Sequence, residues 1–250
     1  MTAPAEWAKR PMRQGGGLAE DLVMSQSRRL SPSTDDELTR LIQQGREREA
    51  AVLASYYLPP SNEGAPMDPR DQLDTIFPLL SALVAPLDKA QLDAPTPCAT
   101  FTVRNVLEHM IGGATMFAAA FRGEAPAAPP AGTDVIGAFP VAMEGLQQAV
   151  RSPGALDRTI NAPFGQVPGD AFTRFVALDG LVHGWDIATA TGQSYNPPAD
   201  VVGEVDAFAR QAITDDMRDG DTFAAPVEPA AGATPLERVV AFTGRSLQRP

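Results

Sequence analysis

Between Thr102 and Gly123, apolar side chains return every three to four positions for five turns: Val103, Val106, Leu107, Met110, Ala114, Phe117 and Phe121. An α-helix with one buried side satisfies such a repeat, whereas a half-buried strand would need strict alternation. Thr102 supplies the cap, a hydroxyl able to accept from a free amide of the first turn. The same period recurs along the chain. Leu73, Ile76, Phe77, Leu80 and Leu83 mark a helix in "DPRDQLDTIFPLLSALVAPL", with Pro78 as its kink or early break. "APAAPPAGTD" is a loop, after which a third helix runs from about Asp134 to Val150 on Ile136, Phe139, Met143, Leu146 and Val150. A fourth spans roughly 170 to 190 and ends at Gly192. Pro197 and Pro198 open a fifth on Val201, Val205, Phe208, Ala209 and Ala212, and "TPLERVVAFTGRSL" is a last short helix. Residues 157–169 read as a short extended hairpin or an irregular crossover. With so little strand signal, the expected fold class is all-α: a four-helix bundle with short accessory helices.

The best linker is "PPSNEGAP" at 59–66, so the expected organisation is an N-terminal extension, 1–66, followed by the bundle, 67–250. The first 32 residues show no sustained periodicity and read as flexible or only locally ordered. One helix is expected near 34–58, where Thr34 and Glu37 have capping-box spacing. Met67 would serve as the start of a shorter protein. Of the net charge of −11, residues 67–250 carry −10, which opposes nucleic acid or an anionic membrane surface as the main partner. No run of about 18 apolar residues and no basic-then-apolar N-terminus is present, and the single cysteine, Cys98, fits a reducing compartment. A cytoplasmic protein is expected.

The chain has only two histidines, His109 and His183, and both fall inside the most apolar helical stretches. On a wheel with 100° per residue, Phe175, Val176, Asp179, His183, Asp186 and Ile187 all lie within roughly 60° of Phe172. Asp179 and His183 occupy the centre of that apolar stripe, while Leu178, Leu181 and Trp185 form a second apolar side. A carboxylate and an imidazole facing a core need compensation. Two readings compete: Asp179 accepts a hydrogen bond from His183 one turn later, or the two are ligands of a metal completed by a third from a facing helix. His109 lies near the edge of its stripe, with Gly112 and Gly113 one turn on, small enough to admit a neighbouring helix or a ligand. Asp186 either orients a ligand through a hydrogen bond or pairs with an arginine elsewhere. Cys98 is either packing or a reactive thiol, its sequence neighbourhood offering only Arg104 as a base. The chain lacks G-x-S-x-G, H-E-x-x-H, the phosphate-binding G-x-x-x-x-G-K-[ST] and the dinucleotide-binding G-x-G-x-x-G. Glu108 and His109 point about 100° apart and cannot share one ion.

"PTPCATFTVRNVLEHMIGG", "LVHGWDIATATGQ" and "PLERVVAFTGR" resemble, in order and separation, three stretches of the actinobacterial metal-binding proteins of the DinB-like superfamily. Within that superfamily the chain is similar to the N-terminal domain of mycothiol-dependent maleylpyruvate isomerases, over residues 67 to about 248. The resemblance implies a DinB-like four-helix bundle holding a divalent metal through His109, Asp179 and His183, with Asp186 as a supporting residue. Zinc is the expected ion, nickel or iron the alternatives, and mycothiol a candidate cofactor. Isomerase-type relatives carry glutamate where this chain has the shorter Asp179, and residues 1–66 match nothing in the family. The implied function is a thiol-dependent isomerase or S-transferase acting on a small electrophilic molecule, its catalytic and cofactor-binding residues unassigned. The alternative is a non-catalytic metal-binding or regulatory bundle that docks a partner through its N-terminal segment. Expected partners are a small-molecule substrate or thiol cofactor, with homodimerisation open.

Overall fold

The computed structural model describes residues 66–247 apart from 99, 126–133, 163–164 and 219–222, together with residues 40 and 43. By its internal contacts the chain separates into Met1–Asn62 and Glu63–Pro250, and the fold is that of the second unit. The expected N-terminal helix near 34–58, the flexible first 32 residues and most of the 125–134 loop lie outside the described residues.

Six α-helices and one hairpin make up the described fold: α1 (Pro69–Val84), α2 (Val103–Arg122), α3 (Val135–Val150), β1 (Thr159–Ala162), β2 (Gly165–Pro168), α4 (Gly169–Thr191), α5 (Ala199–Ala212) and α6 (Pro235–Phe242). Their ends follow local chemistry. Asp68 caps α1 by accepting from the Arg70 amide at 2.9 Å. Thr102 and Asn105 cap α2 reciprocally, at 3.3 and 3.1 Å, and Gly123 ends it with φ of 74°. The ambiguous stretch at 157–169 is an antiparallel hairpin, with Ile160 opposite Val167. Pro78 does not stop α1, which continues to Val84. It lies on the exposed side of the helix, away from the core.

The four long helices touch in the cyclic order α1, α3, α2, α4. Side-chain pairs fix their directions. His109 and Phe117 of α2 meet His183 and Phe172 of α4 in reverse order, with ring centroids 5.1 and 4.5 Å apart, so these helices are antiparallel. Asp74 near the start of α1 binds Gln147 and Arg151 at the end of α3, making that pair antiparallel as well. Gln193, just past α4, donates to the carbonyl of Leu83 near the end of α1 at 3.0 Å, while Asp68 and Arg70 at the start of α1 interact electrostatically with Arg174 and Asp170 at the start of α4. The bundle therefore runs up, down, down, up. The two adjacent "down" helices, α2 and α3, are parallel.

Leu73, Ile76, Leu80, Leu107, Phe121, Phe139, Leu146, Leu178, Leu181 and Ile187 fill the centre, all under 2% exposed. Each such side chain contributes about 1.5–3 kcal/mol by leaving water. On α3 it is Val135, not the expected Ile136, that faces inward at the first turn. Helix α4 is central, with 16 of its 23 residues buried, as two apolar sides require. Gly180 lets α1 approach, since a Cβ there would lie 3.1 Å from Ile76. Phe175 extends the core to Phe208 of α5, edge to face at 5.0 Å. Among the described residues no helix is long and apolar enough to cross a membrane.

Candidate metal centre

His109, Asp179 and His183, separated by 74 positions from first to last, come together where the first half of α2 meets the middle of α4. One donor atom from each lies within 4.8 Å of the others. Nε2 of His109 is 3.3 Å and Nε2 of His183 3.4 Å from the same oxygen, Oδ1 of Asp179. Both separations exceed the 2.9–3.0 Å favoured by N–H···O hydrogen bonds. These two separations are close to the edge of a tetrahedron whose corners lie about 2.0–2.1 Å from a central ion, roughly 3.3 Å, while the cluster as a whole spans up to 4.8 Å. The residues present thus fit a divalent cation, and the one-turn pair within α4 becomes part of a three-donor cluster that includes α2.

His183 is backed on its other side. Its Nδ1 is 3.0 Å from Oδ2 of Asp186, which is 0% exposed. A neutral imidazole donating from Nδ1 to that carboxylate keeps the Nε2 lone pair turned toward Asp179 and His109, the orientation a ligand needs. The same Oδ2 accepts from Nε and Nη2 of Arg245 at 3.4 and 3.2 Å. Asp186 thus pairs with an arginine, one of the two roles considered for it, and also contacts the ring of His183.

Exposure is asymmetric around the cluster. The side chains of His109 and Asp179 are 46% and 43% exposed and that of His183 only 6%, so the centre is walled on one side and open on the other. Burial pushes the Asp179 carboxyl up, but the charges and hydrogen bonds of His183 and His109 outweigh it and hold the group well below the usual carboxylate range. For His183 burial favours the neutral ring, yet Asp179 and Asp186 together push its pKa up to about 9.

Other expectations fare differently. Gly112 and Gly113 admit no neighbouring helix, because a Cβ on the former would meet nothing within 4 Å and on the latter only Phe117 of the same helix. Close approach belongs instead to Gly180 and to Gly184, where a Cβ would fall 2.5 Å from the Tyr195 ring. Trp185, on the second apolar side with the buried Leu178 and Leu181, is itself only half-buried. Arg104 reaches toward Asp93 at 3.8 Å, and the cation that acts on Cys98 is Arg245. Cys98 is half-buried, and burial pushes its thiol pKa up despite that cation, which disfavours a reactive thiolate. Sequence reasoning missed Arg245 itself. Its signals were the Gly before it, the mark of a helix end, and its place as the last residue of the stretch "PLERVVAFTGR".

A family model described as the mycothiol maleylpyruvate isomerase N-terminal domain matches residues 73–188, a span that contains all three donors. Two relatives, described as uncharacterized proteins from two strains of Mycobacterium tuberculosis, are each 31% identical over 190 residues, covering 73% of this chain and 100% of theirs. No solved structure matches the chain.

Proposed function

Because this chain belongs to the family of the mycothiol maleylpyruvate isomerase N-terminal domain, we propose that His109, Asp179 and His183 hold one divalent cation, zinc in the first place, in a thiol-dependent enzyme. Mycothiol or a thiol of its class is the proposed cofactor, and a small electrophilic molecule the substrate of isomerisation or S-transfer. The observation that carries the metal assignment is the shared approach of two Nε2 atoms to one carboxylate oxygen at 3.3 and 3.4 Å. A divalent ion bound there would lower the pKa of a thiol or water reaching it, supplying a nucleophile at neutral pH.

The chain's own residues set the conditions for that chemistry. His183 forms the closed wall and Asp186 holds its ring. His109 and Asp179 line the open side, through which a small molecule reaches the centre. An open position distinguishes a catalytic site from a structural one, whose ion is enclosed by four protein ligands.

Two measurements test this reading on protein purified without an affinity tag. Elemental analysis should find about one zinc, nickel or iron per chain, lost in His183→Ala. Loaded protein, mixed with mycothiol and a panel of electrophilic acceptors, should consume thiol or isomerise the acceptor. Metal binding without turnover on any acceptor would favour the non-catalytic alternative, and wild-type protein that takes up no divalent ion would remove both.

A further inference from the structure

Helix α6 ends in a way that aims one side chain at the bundle. Thr234 and Glu237 open it with a reciprocal cap, and Gly244 closes it with φ of +94°. The amide of Gly244 donates to the carbonyl of Ala241 and that of Arg245 to the carbonyl of Val240, both at 3.0 Å, the paired bonds of a Schellman motif. No other residue fits at position 244: besides the left-handed backbone, a Cβ there would fall 2.5 Å from the Cβ of Ala224. The turn fixes where the chain emerges, and the Arg245 side chain, 13% exposed, runs inward to Asp186.

We propose that Arg245 is a positioning residue of the metal centre, acting through Asp186 on His183. The inference rests on the metal-binding reading above and extends it to a residue outside both ligand-bearing helices. Two guanidinium nitrogens and His183 Nδ1 converge on a single oxygen, Oδ2, of a carboxylate that has no exposure to water. The other oxygen, Oδ1, has no hydrogen-bond partner, so nothing on that side fixes the rotation of the carboxylate. Arg245 is thus what holds Oδ2 in front of Nδ1. With Oδ2 fixed, the imidazole plane and its Nδ1–H tautomer are fixed too, and Nε2 presents its lone pair to the ion. Without the guanidinium, the carboxylate rotates and the ring loses the contact that sets its orientation. A lysine keeps the charge but replaces a planar fork with a point donor, so it restores this hold only in part.

The test compares Co²⁺ affinity and the Co²⁺ electronic spectrum in full-length wild type, Arg245→Gln, Arg245→Lys and Arg210→Gln. Arg210 stacks on Phe242 of α6 at 4.8 Å and pairs with Asp206, so its loss perturbs the same helix without touching Asp186. Arg245→Gln is expected to weaken Co²⁺ binding about 10-fold or more, as loss of a ligand's supporting residue does, and to shift the visible bands. Arg245→Lys should fall between it and wild type, and Arg210→Gln should match wild type. Imidazole ¹⁵N resonances of the zinc-loaded protein, simplified by there being two histidines, should show the Nδ1–H form of His183 in wild type and its disturbance in the Gln variant. If Arg245→Gln does not fold, Arg245→Lys with a wild-type far-ultraviolet spectrum carries the comparison. Wild-type affinity and spectrum in the folded Arg245 variants would overturn this inference alone, as would an equal loss in Arg210→Gln. Wild-type protein that binds no Co²⁺ or Zn²⁺ would overturn the metal reading together with it.

Discussion

In the proposed metal centre, His183 is the residue on which protons and metal would compete. Without an ion, Asp179 and Asp186 hold its pKa at about 9, above the ordinary 6.5, so its protonation stabilises the fold. That contribution is complete below pH 6.5 and is lost as the pH rises through 9. Metal-free protein should therefore show a urea midpoint that falls between those limits, and His183→Ala should flatten the decline. Metal affinity should move the opposite way, rising over the same interval because the ion must displace a proton from Nε2. Denaturation and Zn²⁺ titrations at several pH values measure both slopes. Parallel slopes would separate His183 from the binding site.

At the scale of helices, Gly184 shows what packing demands beside the centre. Its position against the Tyr195 ring leaves no room for a methyl group, and α4 is fixed on its other sides by α1, α2 and α5. Gly184→Ala should cost about 1–3 kcal/mol, since overpacking forces either ring or helix to shift. Equilibrium unfolding measures the loss, and an unchanged midpoint would show that the 195 loop moves freely. The helices themselves were legible from sequence: the apolar period located α1 to α6, and Thr102 and Gly192 marked two of their ends. The Asp179–His183 pair was legible too, because polar groups centred on an apolar stripe announce a compensating partner, while His109 as the third member came from the family resemblance. What periodicity could not convey was non-local. Arg245 meets Asp186 across 59 positions, and the pairing of α2 with α3 is parallel, a direction that no helical period encodes. Gly112 and Gly184 look alike in sequence, and only the neighbouring chain decides which is a contact.

For the whole molecule, every donor and supporting residue of the centre lies between His109 and Arg245, within the unit Glu63–Pro250. A protein beginning at Met67 should therefore fold, bind the same number of divalent ions and gain thermal stability from saturating Zn²⁺, by about 2.7 kcal/mol at a hundred times Kd. Calorimetry with and without chelator reads that shift, and failure of the shortened chain to fold would assign the preceding residues a structural role. The division into an extension and a metal-binding bundle stands or falls on this result.

The most direct measurement is anomalous diffraction at the zinc edge from crystals of the zinc-loaded protein. One peak per chain is expected, about 2.0–2.2 Å from Nε2 of His109, Nε2 of His183 and a carboxylate oxygen of Asp179. Zinc-saturated crystals with no peak between those three side chains would contradict the metal assignment.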